Sequence, residues 1–168
     1  MTLPFKLPPP PGYLDSPHWD GVNFNIGDHY SPILEYSENS AGWSDDLTTL
    51  HEEIIGGNHP IDIASRRHAC NQVQQFLPSG TGVIMEIGCS SGYLLQDLVT
   101  AFPDATVIGG DVVRDPLFKL AERFPGIPLI RFDLLQCPLP DNIVDVLVML
   151  NVLEHIEDDI PALKKAYN

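Results

Sequence analysis

The sequence predicts an α/β fold, a parallel sheet covered by helices, over about residues 60–168. Three observations carry this. The apolar runs "GVIMEIG", "ATVIGGD", "IPLIRFD" and "NIVDVLVMLN" are short and apolar on both faces, as buried parallel strands are. The segments "YLLQDLVTAF" and "PLFKLAERF" between them are of helix length and suit right-handed crossovers. Finally, the first three runs each end at a polar or glycine-rich junction, and in an open α/β sheet such junctions share one carboxyl edge.

Taken in order, residues 1 to about 42 are rich in Pro, Gly, Asn, Ser and aromatics without a sustained period, and read as irregular. Pro8 to Pro11 suggest an extended arm, a tether or docking strip. "WSDDLTTLHEEII" reads as a short helix capped by Ser44 and stopped by Gly56-Gly57. After Pro60, "IDIASRRHACNQVQQFL" sets Ile63, Cys70, Val73, Phe76 and Leu77 near one helical face and ends at Pro78-Ser79-Gly80. A division follows: residues 1–59 are an irregular or helical extension or lid over an acceptor, and 60–168 are the sheet-bearing domain.

Of the 168 residues, nine are basic and twenty-three acidic, a formal charge of −14. That balance repels phosphate backbones and anionic membranes, which makes nucleic acid and lipid surfaces poor partners. Cys70, Cys89 and Cys137 are odd in number and far apart, so they suit neither a zinc set nor a disulfide framework; no metal is expected. Reduced thiols, no signal-peptide core and no apolar span of membrane length together suggest a cytoplasmic protein.

Function is concentrated in "EIGCSSGYL". Gly88 lets the chain turn off its strand, and Gly92 lets the next helix approach a cofactor and the sheet closely. Asp111 ends the second strand, where a carboxylate can accept both hydroxyls of a ribose; the bland role is a helix cap. Asp133 ends the third strand and can take the amine of an adenine, with the Leu134 N–H facing the ring. A dinucleotide fingerprint needs G-x-G-x-x-G around a pyrophosphate. Here Ser90 fills the middle glycine position and Glu86 lies two residues before the first glycine. A carboxylate there suits an ammonium, so the fitting ligand has an amino-acid end and an adenosine end. A nicotinamide-dependent oxidoreductase is correspondingly disfavoured.

From about residue 65 onward the chain resembles the class I S-adenosylmethionine-dependent methyltransferases. "EIGCSSGYL" is similar to their first motif, "GGDVV" to their ribose motif, and "RFDLLQCPLPDNIVDVLVMLNVLEHIED" to their stretch ending in "LEH". The resemblance implies a Rossmann-like doubly wound sheet, parallel through its first four strands in the order 3-2-1-4. It implies S-adenosyl-L-methionine as cofactor, with Glu86, Gly88, Cys89, Ser90 and Gly92 around the methionine end. Asp111 would hold the ribose with Val112 beside the adenine, Asp133 and Leu134 would read the adenine edge, and Asn151 would lie near the sulfonium. The expected activity is methyl transfer by direct displacement to a small-molecule or glycan-type acceptor; the alternative is a non-catalytic cofactor- or partner-binding module of the same fold.

His155 is the one candidate for acid–base chemistry. It is read first as a helix-start histidine bonded to backbone or to an acid such as Glu154 or Asp158, with the base role as the alternative. His29, Tyr30, Trp43, His51 and His59 precede the sheet domain and each reads as structural. Because "IVDVLVML" suits a central strand, the resemblance also implies further strands, five to seven, that are absent from these residues. Val144, Val146, Leu147, Val148 and Leu150 would then be poorly covered on one flank.

Overall fold

The structure, a computed structural model, describes residues 2–37, 59–89 and 91–167. The expected helix capped by Ser44, together with Trp43, His51 and Ser90, lies outside the described residues. The described residues form two sheets. Strands β1 (His18–Trp19), β2 (Phe24–Ile26) and β3 (His29–Ser31) form a small antiparallel meander. Strands β4 (Ile33–Glu35), β5 (Val83–Ile87), β6 (Thr106–Asp111), β7 (Leu129–Arg131) and β8 (Val146–Met149) form a fully parallel sheet ordered β4-β7-β6-β5-β8.

Residues 18–35 are therefore not irregular, as their composition suggested, whereas residues 2–17 hold no helix or strand. The strands are two or three residues long, too short for any period to register, and the polar residues between them make turns. Asp20 closes the β1–β2 turn by accepting from the Val22 and Asn23 N–H groups at 2.8 Å each. The β4 strand is the unexpected member of the large sheet, adding to the outer edge of β7 with Ile33 opposite Leu129 and Glu35 opposite Arg131. The proline arm is docked on its own chain: Leu7 is buried, and the Tyr36 hydroxyl donates to the Pro8 carbonyl at 2.6 Å.

Helices α1 (Pro60–Phe76), α2 (Tyr93–Ala101) and α3 (Arg114–Arg123) cover one face of the sheet. Their contact residues Ala69, Val73, Leu94, Leu95, Leu98, Leu117 and Leu120 pack on Ile84, Val107, Leu129 and Ile33. In α1 the buried residues are Ala69 and Val73, continued by Leu77 just past the helix end, with Cys70 partly covered. Ile63 and Phe76, expected on that face, are exposed, because α1 meets the sheet only through its C-terminal half and Phe76 falls on the far side. The second face carries Met85, Ile87, Ile108 and Ile130, covered by Leu7, Trp19, Phe24 and Ile26 of the N-terminal region and by Ala162 of α4 (Asp159–Tyr167). Among the described residues, much of this face is thus packed by the meander rather than by helices, because its aromatic and β-branched side chains supply the apolar cover.

Two consecutive glycines sit inside β6 for steric reasons. A Cβ on Gly109 would lie 2.7 Å from Leu129 and 2.9 Å from Cys89, and one on Gly110 would lie 2.8 Å from Phe132. At the opposite strand ends, Asp145 accepts from the Val83 N–H at 2.8 Å and so ties the entry of β5 to that of β8. β8 is shorter than the sequence suggested; Asn142 turns with φ 60°, and regular pairing with β5 runs only from Val146 to Met149. Val148 is buried, whereas Val146 and Leu147 are half-buried.

Candidate functional site

The parallel sheet brings the ends of β5, β6, β7 and β8 to one edge in adjacent positions. Glu86, Gly88, Asp111, Asp133 and Asn151, far apart in sequence, therefore share that edge because every crossover returns the chain to the same direction. Side chains alternate between faces along each strand. On β5, Ile84 faces the helices, Met85 and Ile87 face the meander, and Glu86 returns to the helix side.

Glu86 is 5% exposed, and its Oε2 has no hydrogen-bond partner among the described residues. Burial pushes its carboxyl up to about 8; the carboxylates of Asp111 and Asp97 push the same way, and the Arg66 guanidinium opposes them. A buried acid with an open acceptor and negative neighbours gains from a cation. An ammonium would satisfy Oε2, and this fits the amino-acid end of the expected ligand.

Past Glu86, the turn is set by two glycines in the left-handed region, Gly88 at φ 79° and Gly92 at φ 70°. The Gly88 and Cys89 N–H groups both donate to the Gly110 carbonyl, at 2.8 and 3.2 Å, which fastens the turn to β6 and uses those two donors internally. Cys89 is fully buried, with its thiol held protonated by burial, so its side chain is core and only its backbone borders the edge. Gly92 carries a second constraint. A Cβ there would overlap Leu120 and lie 3.1 Å from Phe124, so its bareness serves the approach of α3 to α2 as well as the turn.

Asp111 is 7% exposed and its Oδ1 accepts from the Val113 N–H at 2.9 Å, shaping the turn into α3. The carboxylate thus shapes the loop between β6 and α3 at the carboxyl edge, although the helix's own N-cap is Val113 and no side chain caps it. Asp133 caps the short 3-10 turn Leu134–Gln136: Oδ1 accepts from the Leu135 N–H at 2.9 Å and Oδ2 from the Gln136 amide at 3.3 Å. Leu134 beside it is buried. Past β8, Asn151 is exposed with φ 55°, a conformation that asparagine tolerates better than most residues. Val152 packs over the glycine turn, 2.5 Å from where a Gly88 Cβ would stand. His155 closes the 3-10 turn Leu153–His155 and is exposed.

Sequence reasoning missed three residues near this edge. Arg66 on α1 donates through Nε to Asp97 Oδ2 at 2.8 Å and lies 5.5 Å from the Tyr93 ring centre. Arg131 donates to the Val112 carbonyl at 3.1 Å, and Glu35 accepts from both Arg131 and Arg114. No local motif marks these contacts, since each joins separate elements. An apolar cleft lined by Leu3, Trp19, Val99, Phe102 and Ile127 opens at the opposite end of the strands and bears no ionisable side chain. Among the described residues, no cluster of three His, Cys, Asp or Glu side chains is placed to hold a metal, and no helix is long and apolar enough to cross a membrane.

Residues 85–168 match the family model described as a methyltransferase domain. An uncharacterized methyltransferase of Mycobacterium tuberculosis is 30% identical over 91 residues, covering 53% of this chain and 45% of that protein. Among solved structures, one from Methanococcus maripaludis described as an S-adenosyl-L-methionine-dependent methyltransferase superposes with a TM-score of 0.61 at 17% identity, covering 78% of this chain and 61% of that one. A sugar N-methyltransferase of Streptoalloteichus superposes with a TM-score of 0.54 at 21% identity, covering 77% and 49%. This chain thus spans about half the length of the curated relative it matches, and the two solved structures share its fold. With the family match beginning inside β5, at Met85, and running through the whole glycine turn and carboxyl edge, the chain belongs to the methyltransferase-domain family.

Proposed function

We propose that this chain binds S-adenosyl-L-methionine at the carboxyl edge of its sheet and serves an enzyme that transfers the methyl group to a small-molecule or glycan-type acceptor. The single observation that carries the reading is Glu86: a buried carboxyl group with an open oxygen, beside a glycine turn, flanked by the buried Asp111. Bound, the cofactor supplies a methyl group activated by a sulfonium.

The chain's own residues then bind and orient. Glu86 would pair with the ammonium, while Gly88, Cys89, Ser90 and Gly92 supply backbone around the methionine end. Asp111 would accept the ribose hydroxyls, and Val112 would lie beside the adenine. Asp133 and Leu134 would meet the adenine edge, which requires Asp133 Oδ2 to exchange its long bond from Gln136 for the ligand. Asn151 stands at the sulfonium side. In-line placement of the acceptor's nucleophile supplies much of the acceleration, so a base is not required. His155, exposed on its turn, is read as structural, with proton removal from the acceptor as its alternative role.

The net charge of −14 disfavours polyanionic acceptors, which supports a small or glycan-type substrate. Titration calorimetry with S-adenosylhomocysteine and with NAD tests the cofactor: binding of the first and not the second is expected, and the reverse would overturn the reading. A screen of amino sugars and other small acceptors with labelled methyl donor tests turnover. Tight cofactor binding with no acceptor turned over, in a protein carrying all its domains, would favour the non-catalytic binding module instead.

A further inference from the structure

Three charged side chains occupy one row across neighbouring strands. Register places Asp111 of β6 opposite Arg131 of β7, and Arg131 opposite Glu35 of β4. Alternation puts all three on the helix side, since Leu129 and Ile33, two residues earlier on their strands, pack in the helix-side core. Arg131 is 6% exposed; its Nε donates to the Val112 carbonyl at 3.1 Å and its Nη1 to Glu35 Oε2 at 3.1 Å. Glu35 also accepts from Arg114 Nε and Nη2, at 2.9 and 3.1 Å. Arg114 is the first residue of α3.

Both ends of the 111–114 turn are therefore held through one carboxylate. Arg131 grips the carbonyl just after Asp111, Arg114 grips the start of the helix, and Glu35 fixes both guanidiniums. We propose that Glu35 is a positioning residue for the cofactor site, through which the N-terminal strand β4 holds the Asp111–Val112 turn in the geometry that receives an adenosine. The inference rests on the cofactor reading above and deepens it. The N-terminal strand becomes a working part of the site, although it precedes the family-matched residues by fifty positions. Charge-assisted bonds suit the task because a guanidinium holds a carbonyl and a carboxylate at set angles in its own plane.

The test compares two ligands that share the adenosine end: S-adenosylhomocysteine, and 5′-methylthioadenosine, which lacks the amino-acid end. Calorimetry is run well below the melting temperature of each variant. Glu35→Gln is expected to weaken both ligands by the same factor, roughly 3- to 10-fold. Glu86→Gln is expected to weaken S-adenosylhomocysteine alone, and Glu35→Asp to recover part of the loss. Unchanged affinities for both ligands in Glu35→Gln, with a lowered melting temperature, would overturn the inference by showing that β4 only stabilises. A loss confined to S-adenosylhomocysteine would overturn it too. If the parent protein binds neither ligand, the cofactor reading itself fails, a result distinct from either. Arg114→Gln removes only the half-exposed partner and carries the same expectation at about 2-fold, which keeps the test decisive if Glu35→Gln does not fold.

Discussion

Arg66 Nε donates to Asp97 Oδ2 at 2.8 Å, joining α1 to α2 while the guanidinium lies over the Tyr93 ring. Both charges act on the buried Glu86: the Arg66 charge favours its ionisation and the Asp97 charge opposes it. Arg66→Gln should therefore make Glu86 harder to ionise and shift the pH midpoint of S-adenosylhomocysteine binding upward. Calorimetric titrations from pH 6 to 9 would reveal this, and an unmoved midpoint would separate Arg66 from the site.

Glu86 gives the protein a pH dependence of known sign. Its folded value of about 8 lies above the ordinary carboxyl value of 4.5, so between the two the folded state binds more protons than the unfolded one. This contribution to stability is greatest below 4.5 and is lost as pH rises toward 8. The apoprotein's melting temperature should fall across that window, and Glu86→Gln should flatten the slope. A rising melting temperature traceable to Glu86 would contradict the burial argument.

Ligand binding should release protons for the same reason. An ammonium placed at Oε2 favours the carboxylate, so a Glu86 protonated at neutral pH gives up its proton on binding. Calorimetry at pH 7 in phosphate and in Tris should return different heats, in proportion to the buffers' ionisation enthalpies. Equal heats would mean that Glu86 does not meet the ammonium.

Asp111→Ala should weaken S-adenosylhomocysteine by about 1.5–3 kcal/mol, the range for hydrogen bonds to a charged group. The variant also loses the bond from the Val113 N–H, so its melting temperature should drop as well. Comparison with Asp111→Asn, which keeps an oxygen for Val113, separates the two roles. Full affinity in a folded Ala variant would remove Asp111 from the site.

Gly92→Val should cost about 2–5 kcal/mol of stability, combining a left-handed φ for a branched residue with overlap on Leu120. Urea denaturation reads this directly. A stability loss under 1 kcal/mol would mean that α3 retreats easily from the turn.

His155→Ala should leave cofactor affinity and most turnover intact in a protein carrying all its domains, since the side chain is exposed on a 3-10 turn. A specific fall of roughly 10²–10⁴ in turnover at unchanged stability would instead assign it the base role.

The sequence alone was enough to put Glu86 on a strand, Gly88 in a turn and Asp111 at a strand end, because strand ends, glycine turns and their spacing are local features written in consecutive residues. The same holds for β5, β6 and β7, whose apolar runs admit few alternatives. Strands β1 to β4 were illegible for a physical reason: two or three residues cannot display a period, and β4 becomes a strand only because β7 offers it an unpaired edge. Gly92 was legible as a turn glycine, but the pressure from Leu120 and Phe124 was not, since those residues reach it only after α3 packs. Arg66–Asp97 and Glu35–Arg131 join positions 31 and 96 apart, and no sequence pattern specifies which charges meet at such distances. Local residue chemistry thus determined which polar groups the strand ends and the glycine turn carry. Long-range packing decided how far Glu86 is buried and which N-terminal carboxylate anchors the turn beside Asp111, because burial and charge pairing exist only once distant segments share one interior.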